Sequence, residues 1–342
     1  MSFIILLLDW YEIHKRQLPW RNTKSPFKVW MSEIILQQTR IKQGLNYYLK
    51  FENQFTDIHK LANADEQTIL KLWQGLGYYT RARNLHKTAK IISKDFNGEF
   101  PNNFKDLKKL PGIGNYTAAA ISSICFDEKV PAIDGNAYRV YARLFGLDKD
   151  IAQSNAHKFF FDFAQNIMPE RNSGDFNQAI MELGAMVCLP QNPNCSECPV
   201  SNQCIAYQTG SVNELPVNSK KIKIKNRYFH YFFIVHPQAN YFLIRKRNFK
   251  DVWHNLFDFP MIETKTKTLE SSDFDVLKFN KISKVKHILT HQYLHIQFYQ
   301  VHCTVKEFEQ FTTSEYLLLS PIEILNTPFP KPIADFLENQ FG

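Results

Sequence analysis

Four cysteines in one short stretch, "CLPQNPNCSECPVSNQC", narrow the options for this chain before anything else does. Cys188, Cys195, Cys198 and Cys204 are separated by six, two and five residues. Thiolates this close in sequence can converge on one metal centre. With no secretory signal, a dense cluster in a long chain argues for metal and against disulfides. Structural zinc also accepts four thiolates, but its usual pattern is two separated CxxC pairs, and a single CxxC stands here. The spacing favours a [4Fe–4S] cluster and leaves zinc open. Cys125 and Cys303 stand alone.

The chain has 342 residues, a length that suggests roughly two domains. A hydrophobic content of 44% and a charged content of 22% fit a globular protein with a real core and exclude a disordered chain. The net charge of +8 and pI near 9.0 favour a polyanionic partner, with nucleic acid ahead of an anionic membrane surface. The N-terminal run "FIILLL" is too short to span a bilayer, has no basic residue before it, lacks a small-residue cleavage site and ends near Asp9. It reads as the buried face of a first helix. No other segment approaches membrane-spanning length, so a soluble, intracellular protein is expected.

Residues 1–210 have a helical texture, with apolar residues recurring at three and four in "VWMSEIILQQT" and "AHKFFFDFAQNIM". Candidate N-caps are Thr56 or Asp57, Asn63 and Ser154. A helix, tight turn, helix unit is expected at about 103–125, and the cysteine loop occupies 188–204. The stretch 211–227 turns polar and then strongly basic, as a linker would. Beyond it, "RYFHYFFIV", "YFLIRKR" and "KVKHILTHQYLHIQFYQVHCTV" read as strands and "KPIADFLENQF" as a closing helix. The expected architecture is multidomain: an all-α domain followed by a smaller α+β domain over 228–342.

Three further features bear on chemistry. In "LPGIGNYTAAAIS" the amides of Gly112, Ile113 and Gly114 precede a helix, an arrangement suited to an anion such as a DNA phosphate; a plain Gly-containing turn is the alternative. Asp134 in "PAIDGNAYRV" is a turn residue or N-cap by its setting. Glu33 in "WMSEIILQQT" reads in isolation as an exposed helix residue, yet its neighbours Trp30, Ile34 and Ile35 suggest burial, where a carboxyl gains a raised pKa and can donate a proton. An acid and a carboxylate together allow glycosidic chemistry without proving it.

Taken together, "LPWR", "SEIILQQT", "GLGYYTRARNL", "LPGIGNYTAAAI", "IDGN", "FNQAIMELGAMVC" and the four cysteines resemble the helix-hairpin-helix DNA glycosylases that carry an iron–sulfur cluster. Within that superfamily the chain is most similar to the adenine DNA glycosylase (MutY) family, over most of its length. The resemblance implies removal of adenine mispaired with 8-oxoguanine or guanine in double-stranded DNA. It implies a monomer that acts in the cytoplasm, nucleoid-associated if bacterial, with no membrane partner. Glu33 falls on the general acid, Asp134 on the carboxylate that stabilises the sugar cation, and Asn136 on its neighbour. Tyr116 falls on an active-site tyrosine, expected to bond Asp134 or shield the cation. Arg21 falls on a pocket residue around the flipped adenine. Gln38, Thr39 and Tyr78 fall on residues at the DNA, Gln38 and Tyr78 wedging beside the opposite base. Gly112 and Gly114 fall on the phosphate-binding hairpin, and Cys188, Cys195, Cys198 and Cys204 on ligands of a [4Fe–4S] cluster.

The C-terminal part resembles the Nudix-like domain with which this family recognises 8-oxoguanine. After "VWHNLFDFP" the Glu-rich metal motif of a Nudix hydrolase is missing, so a recognition role is implied, with Thr290 and His291 in "LTHQYLHI" against the oxidised base. The chain departs from the family in three places. "LPQNPN" between the first two cysteines holds no Lys or Arg, Asn115 stands where arginine is frequent, and "VWHNLFDFP" lacks paired glycines. Two alternatives share much of the pattern. An endonuclease III-like lyase needs a Schiff-base lysine at the position of Tyr116, and a phenol forms no imine. A non-catalytic cluster protein has no need of both Glu33 and Asp134.

Overall fold

The computed structural model describes residues 2–220, 224–269 and 278–341. Two compact units emerge, one from 1–63 and 84–220, the other from 64–83 and 221–342. The helical texture is realised as α1 (Phe3–His14), α2 (Pro26–Leu36), α3 (Ile41–Gln54), α4 (Ile58–Asn63), α5 (Glu66–Leu72), α6 (Thr80–Asp95), α7 (Phe104–Leu107), α8 (Asn115–Phe126), α9 (Gly135–Phe145), α10 (Ala156–Ile167), α11 (Ser173–Met186) and α12 (Ile205–Gln208). The apolar N-terminal run does form a first helix, with Leu7, Trp10 and Tyr11 buried and Ser2 as its cap. Among the described residues no helix is long and apolar enough to cross a membrane.

The sequence-predicted caps hold in part. Asp57 accepts from the Lys60 amide at 2.9 Å and starts α4. Asn63 instead ends α4, and the cap of α5 is Asp65, which accepts from two amides. Ser154 caps nothing; α10 follows Asn155. The helix, turn, helix unit is α7 and α8. Asn103 caps α7, and three alanines of α8, Ala118 to Ala120, are fully buried, which lets other elements approach closely.

The second unit holds β1 (Lys225–Ile234), β2 (Phe242–Lys246), β3 (Phe257–Asp258), β4 (Met261–Thr264), β5 (Lys278–Ile288), β6 (Gln292–His302), α13 (Val305–Phe311), β7 (Tyr316–Leu319), α14 (Pro321–Asn326) and α15 (Lys331–Phe341). One sheet runs β4-β1-β6-β5, with β1 and β6 parallel and the other pairs antiparallel; the other runs β3-β2-β7. α15 buries Ile333, Phe336 and Leu337, and Phe336 stacks on Phe298 with centroids 4.3 Å apart. Burying one such ring contributes on the order of 2–3 kcal/mol.

The domain division differs from the one expected at 210. Residues 64–83 pack with the strand-rich unit, and β1 begins at Lys225, inside the expected linker 211–227. Within that linker, the lysine-rich residues 221–223 lie outside the described residues.

Candidate active site

Helices α2, α8, α9 and α11 of the first unit line a cavity of about 740 Å³. Each contributes a polar group. Glu33 comes from the apolar helix α2, and Tyr116 from the first turn of α8. Asp134 is the N-cap of α9: its Oδ1 accepts from the Ala137 amide at 2.7 Å and its Oδ2 from the Asn136 side-chain amide at 2.8 Å. The N-cap reading and the functional one therefore describe the same residue. Arg139 donates to the Asn136 side-chain oxygen at 2.8 Å and to the Gly184 carbonyl at 2.6 Å, which holds Asn136 in place. Gly184 is required there, because a Cβ would sit 2.6 Å from that of Asn136.

Burial is the main cause that pushes the Glu33 carboxyl up to about 7; the nearby Asp134 charge adds to it, while a hydrogen bond from Tyr116 and the charge of Arg21 oppose it. The result is a carboxyl that can carry a proton near neutral pH. Burial also raises Asp134, against the hydrogen bonds from Ala137 and Asn136. Tyr116 is pushed well up by burial and by the two acids, and so remains a phenol that donates.

That bond corrects one expectation. Tyr116 bonds Glu33, not Asp134, and its hydroxyl also lies 3.3 Å from the sulfur of Met181. A second correction concerns the hairpin. The Ile113 amide donates to the Leu110 carbonyl at 3.2 Å, so it does not face an anion. Gly112 has φ +76° and a Cβ there would meet Asn84 at 2.7 Å, whereas Gly114 caps α8 with open space beside it.

Arg21 reaches the cavity but is engaged by Glu182, at 2.8 and 2.6 Å. Arg16 clasps the same carboxylate through its amide, Nε and Nη2 at 2.9, 2.8 and 2.5 Å. Burial alone would raise Glu182; the two arginines overturn this and hold it at about 2. Neither Glu182 nor Arg16 was singled out from sequence. The available signal was a lone carboxylate in the apolar stretch "FNQAIMELGAM", the same signal that drew attention to Glu33.

Gln38 and Thr39 also line this cavity. Gln38 has φ +54° and Tyr78 has φ +49°, left-handed conformations uncommon outside glycine and a form of stored strain that clusters at functional sites. Tyr78 belongs to the second unit. There its exposed ring bonds the Thr290 hydroxyl, and Thr290 and His291 occupy the tip of the β5–β6 hairpin. Tyr78, Trp253, His287, Thr290 and His291 line a second cavity of about 630 Å³.

Cys188, Cys195, Cys198 and Cys204 line one small cavity beside two short 3-10 turns. Arg143 donates to the Cys188 sulfur at 3.4 Å and to the Leu189 carbonyl at 2.6 Å. Among the described residues, no three His, Cys, Asp or Glu side chains are grouped so as to hold a single metal ion. Four thiols lining one cavity are a donor set that either an iron–sulfur cluster or a zinc ion accepts.

Residues 31–163 match the family of HhH-GPD superfamily base excision DNA repair proteins, and residues 230–339 match the NUDIX domain. An adenine DNA glycosylase of Buchnera aphidicola subsp. Schizaphis graminum is 38% identical over 344 residues, 98% of either chain. One from Mus musculus is 40% identical over 222 residues, 61% of this chain and 43% of that one. Among solved structures, a thermostable thymine-DNA glycosylase matches with 30% identity and a TM-score of 0.56, covering 60% of this chain and 95% of that one. Endonuclease III trapped on DNA as a covalent intermediate shares the fold at 20% identity, with a TM-score of 0.53 over 60% of this chain and 94% of that one. The likeness to the Buchnera protein takes in both the helical unit with its acid-lined cavity and the Nudix-like unit, and on that ground the chain belongs to the adenine DNA glycosylase family.

Proposed function

We propose that this chain removes adenine from double-stranded DNA where it stands opposite 8-oxoguanine or guanine, acting as a soluble monomer and leaving an abasic site. The observation that carries the reading is the pairing, in one cavity, of a carboxyl raised to about 7 with a second carboxylate at a helix N-terminus. An adenine within a duplex must be flipped out to be reached. Adenine leaves poorly as an anion, so Glu33 in its protonated form gives its proton to the departing base as the glycosidic bond breaks. Positive charge then develops on the sugar, and the Asp134 side chain, held by Ala137 and Asn136, stabilises it until water adds at the sugar carbon and gives its proton to the Glu33 carboxylate. Tyr116 keeps the Glu33 carboxyl oriented through its hydroxyl. Glu182, held ionised, keeps Arg16 and Arg21 fixed at the cavity wall.

In the second unit, Thr290 and His291 at the hairpin tip are proposed to read the oxidised base, with Tyr78 wedging beside it and Gln38 and Thr39 serving the DNA from the first unit. Cys188, Cys195, Cys198 and Cys204 would hold a [4Fe–4S] cluster, which when bound supplies a structural crosslink to the loop. Absorbance near roughly 400 nm that disappears in Cys198→Ser supports iron; a colourless protein with one zinc overturns it. Single-turnover excision on duplexes with adenine opposite 8-oxoguanine, guanine, cytosine or thymine tests the activity. Release confined to the first two supports the reading, and no release contradicts it. Efficient borohydride trapping on an abasic duplex would favour the lyase, which Tyr116 at the lysine position disfavours.

A further inference from the structure

The β4-β1-β6-β5 sheet is covered unequally. On one face α15 packs against β1 and β6, with Phe336 on Phe233 and Phe298. On the other, Phe308 of α13 packs with Phe232, Tyr299 and Val301, at the end of the sheet farther from the Thr290–His291 tip. Among the described residues no helix covers the half of that face nearer the tip, where Tyr228, Tyr293, His295 and Gln297 are half-buried. By register, Lys284 stands beside Gln297, Lys286 beside His295, and His295 beside Tyr228.

These side chains are organised. His295 stacks on Tyr228 with centroids 4.8 Å apart and bonds the Asn226 side-chain oxygen at 2.9 Å. The Lys286 Nζ stands 4.1 Å from the Tyr293 ring centroid. Gln297 donates to the carbonyl of Lys267. Burial, then the nearby Lys267 and Lys286, lowers the His295 imidazole, so three cationic-type groups crowd one spot. Lys267, Lys284 and Lys286 are exposed. On the four strands Glu263 is the single carboxylate, and it turns to the opposite face, where Arg227 holds it at 2.6 Å.

Lysines on an edge strand such as β5 often serve to prevent edge-to-edge pairing. That role does not account for the stacked Tyr228–His295 pair or for Lys286 seated on Tyr293, both on the sheet's face. One face of each of these rings is taken by its neighbour, and around them the surface offers ammonium and amide donors. We infer that this half-face is a phosphate-binding surface that grips the backbone of the duplex arm beside the lesion, through Lys267, Lys284 and Lys286. The inference rests on the proposed placement of the Thr290–His291 tip at the DNA. Lys284 lies four residues from the end of β5 at Ile288, with Thr290 in the turn just beyond. At ~3.3 Å per residue the strand part is ~13 Å, about four base pairs of the same duplex.

The test is equilibrium binding of the whole chain to labelled duplex by fluorescence anisotropy across a salt series. For the variant with Lys267→Gln, Lys284→Gln and Lys286→Gln, the slope of log affinity against log salt is expected to fall by about 2 to 3, near 0.9 for each phosphate no longer neutralised. Affinity should drop by the same factor for mismatched and fully paired duplex, and Lys→Arg at the three positions should restore both. Lys94→Gln, Lys158→Gln and Lys306→Gln together, an equal charge loss elsewhere, should leave the slope alone. An unchanged slope in the first variant overturns the inference, as does an equal fall in the second, or a loss confined to single-stranded DNA. Failure of the adenine reading is separable: a wild-type chain that releases no adenine yet shows the slope change keeps the surface and loses the activity.

Discussion

Both units bury acids beside arginines, and they treat them in opposite ways. In the strand-rich unit the ions are saturated. Asp258 and Arg247 are fully buried and bonded to each other at 2.5 Å, Arg245 adds a bond at 3.0 Å, and Arg227 joins Asp251 and Glu263 at 2.7 and 2.6 Å. Three arginines meet three carboxylates in one chain of ion pairs. Around the cavity of the helical unit the acids are uneven. Glu182 has two arginines and lies far below the usual carboxylate range, while Glu33 has a phenol for its bond and lies far above it. Paired ions build a wall; burial with only a phenol for a hydrogen bond leaves Glu33 able to hold a proton near neutral pH.

The sharpest way to break this contrast is to remove that proton. Glu33→Gln should lower single-turnover adenine release by about 10³-fold while duplex binding survives. Next comes the wall. Asp258→Ala leaves Arg247 buried without its main partner and should cost about 3–5 kcal/mol in urea unfolding. A loss below about 1 kcal/mol, the size of an exposed pair, would show that the network is dispensable. Glu182→Gln tests the low acid. Because its pKa is depressed when folded, its contribution is present above the ordinary carboxylate range and is lost as pH falls through about 2. The melting difference from wild type should therefore be large at neutral pH and shrink on acidification. The smallest effect has the opposite sign. Glu33 is raised, so the stability it contributes below the ordinary carboxylate range is lost as pH rises through about 7. Glu33→Gln should melt higher than wild type at about pH 8, and the gap should close at about pH 5.

The same contrast explains what was legible in the sequence. Glu33 stood out because its apolar neighbours on α2 are local, and burial is its main perturbation. Asp134 was legible as a cap, since "IDGN" carries its own hydrogen-bond partners. Glu182 was not, because Arg16 and Arg21 lie more than 160 residues away in the chain. The same holds for residues 64–83, whose membership of the second unit depends on partners such as Leu325 and Phe329. Strands β3, β4 and β7 are two to four residues long, too short to show a period. The long strands and α15 were readable, being long enough to display one.

The central claim is that Glu33 acts as a neutral proton donor. The direct measurement is the single-turnover rate of adenine release against pH, between about 5 and 9, on a duplex with adenine opposite 8-oxoguanine. With Glu33 at about 7, the rate should fall as pH rises through that value, and Glu33→Gln should abolish the limb. A rate that climbs through about pH 7, or an unaltered profile in Glu33→Gln, would contradict the account.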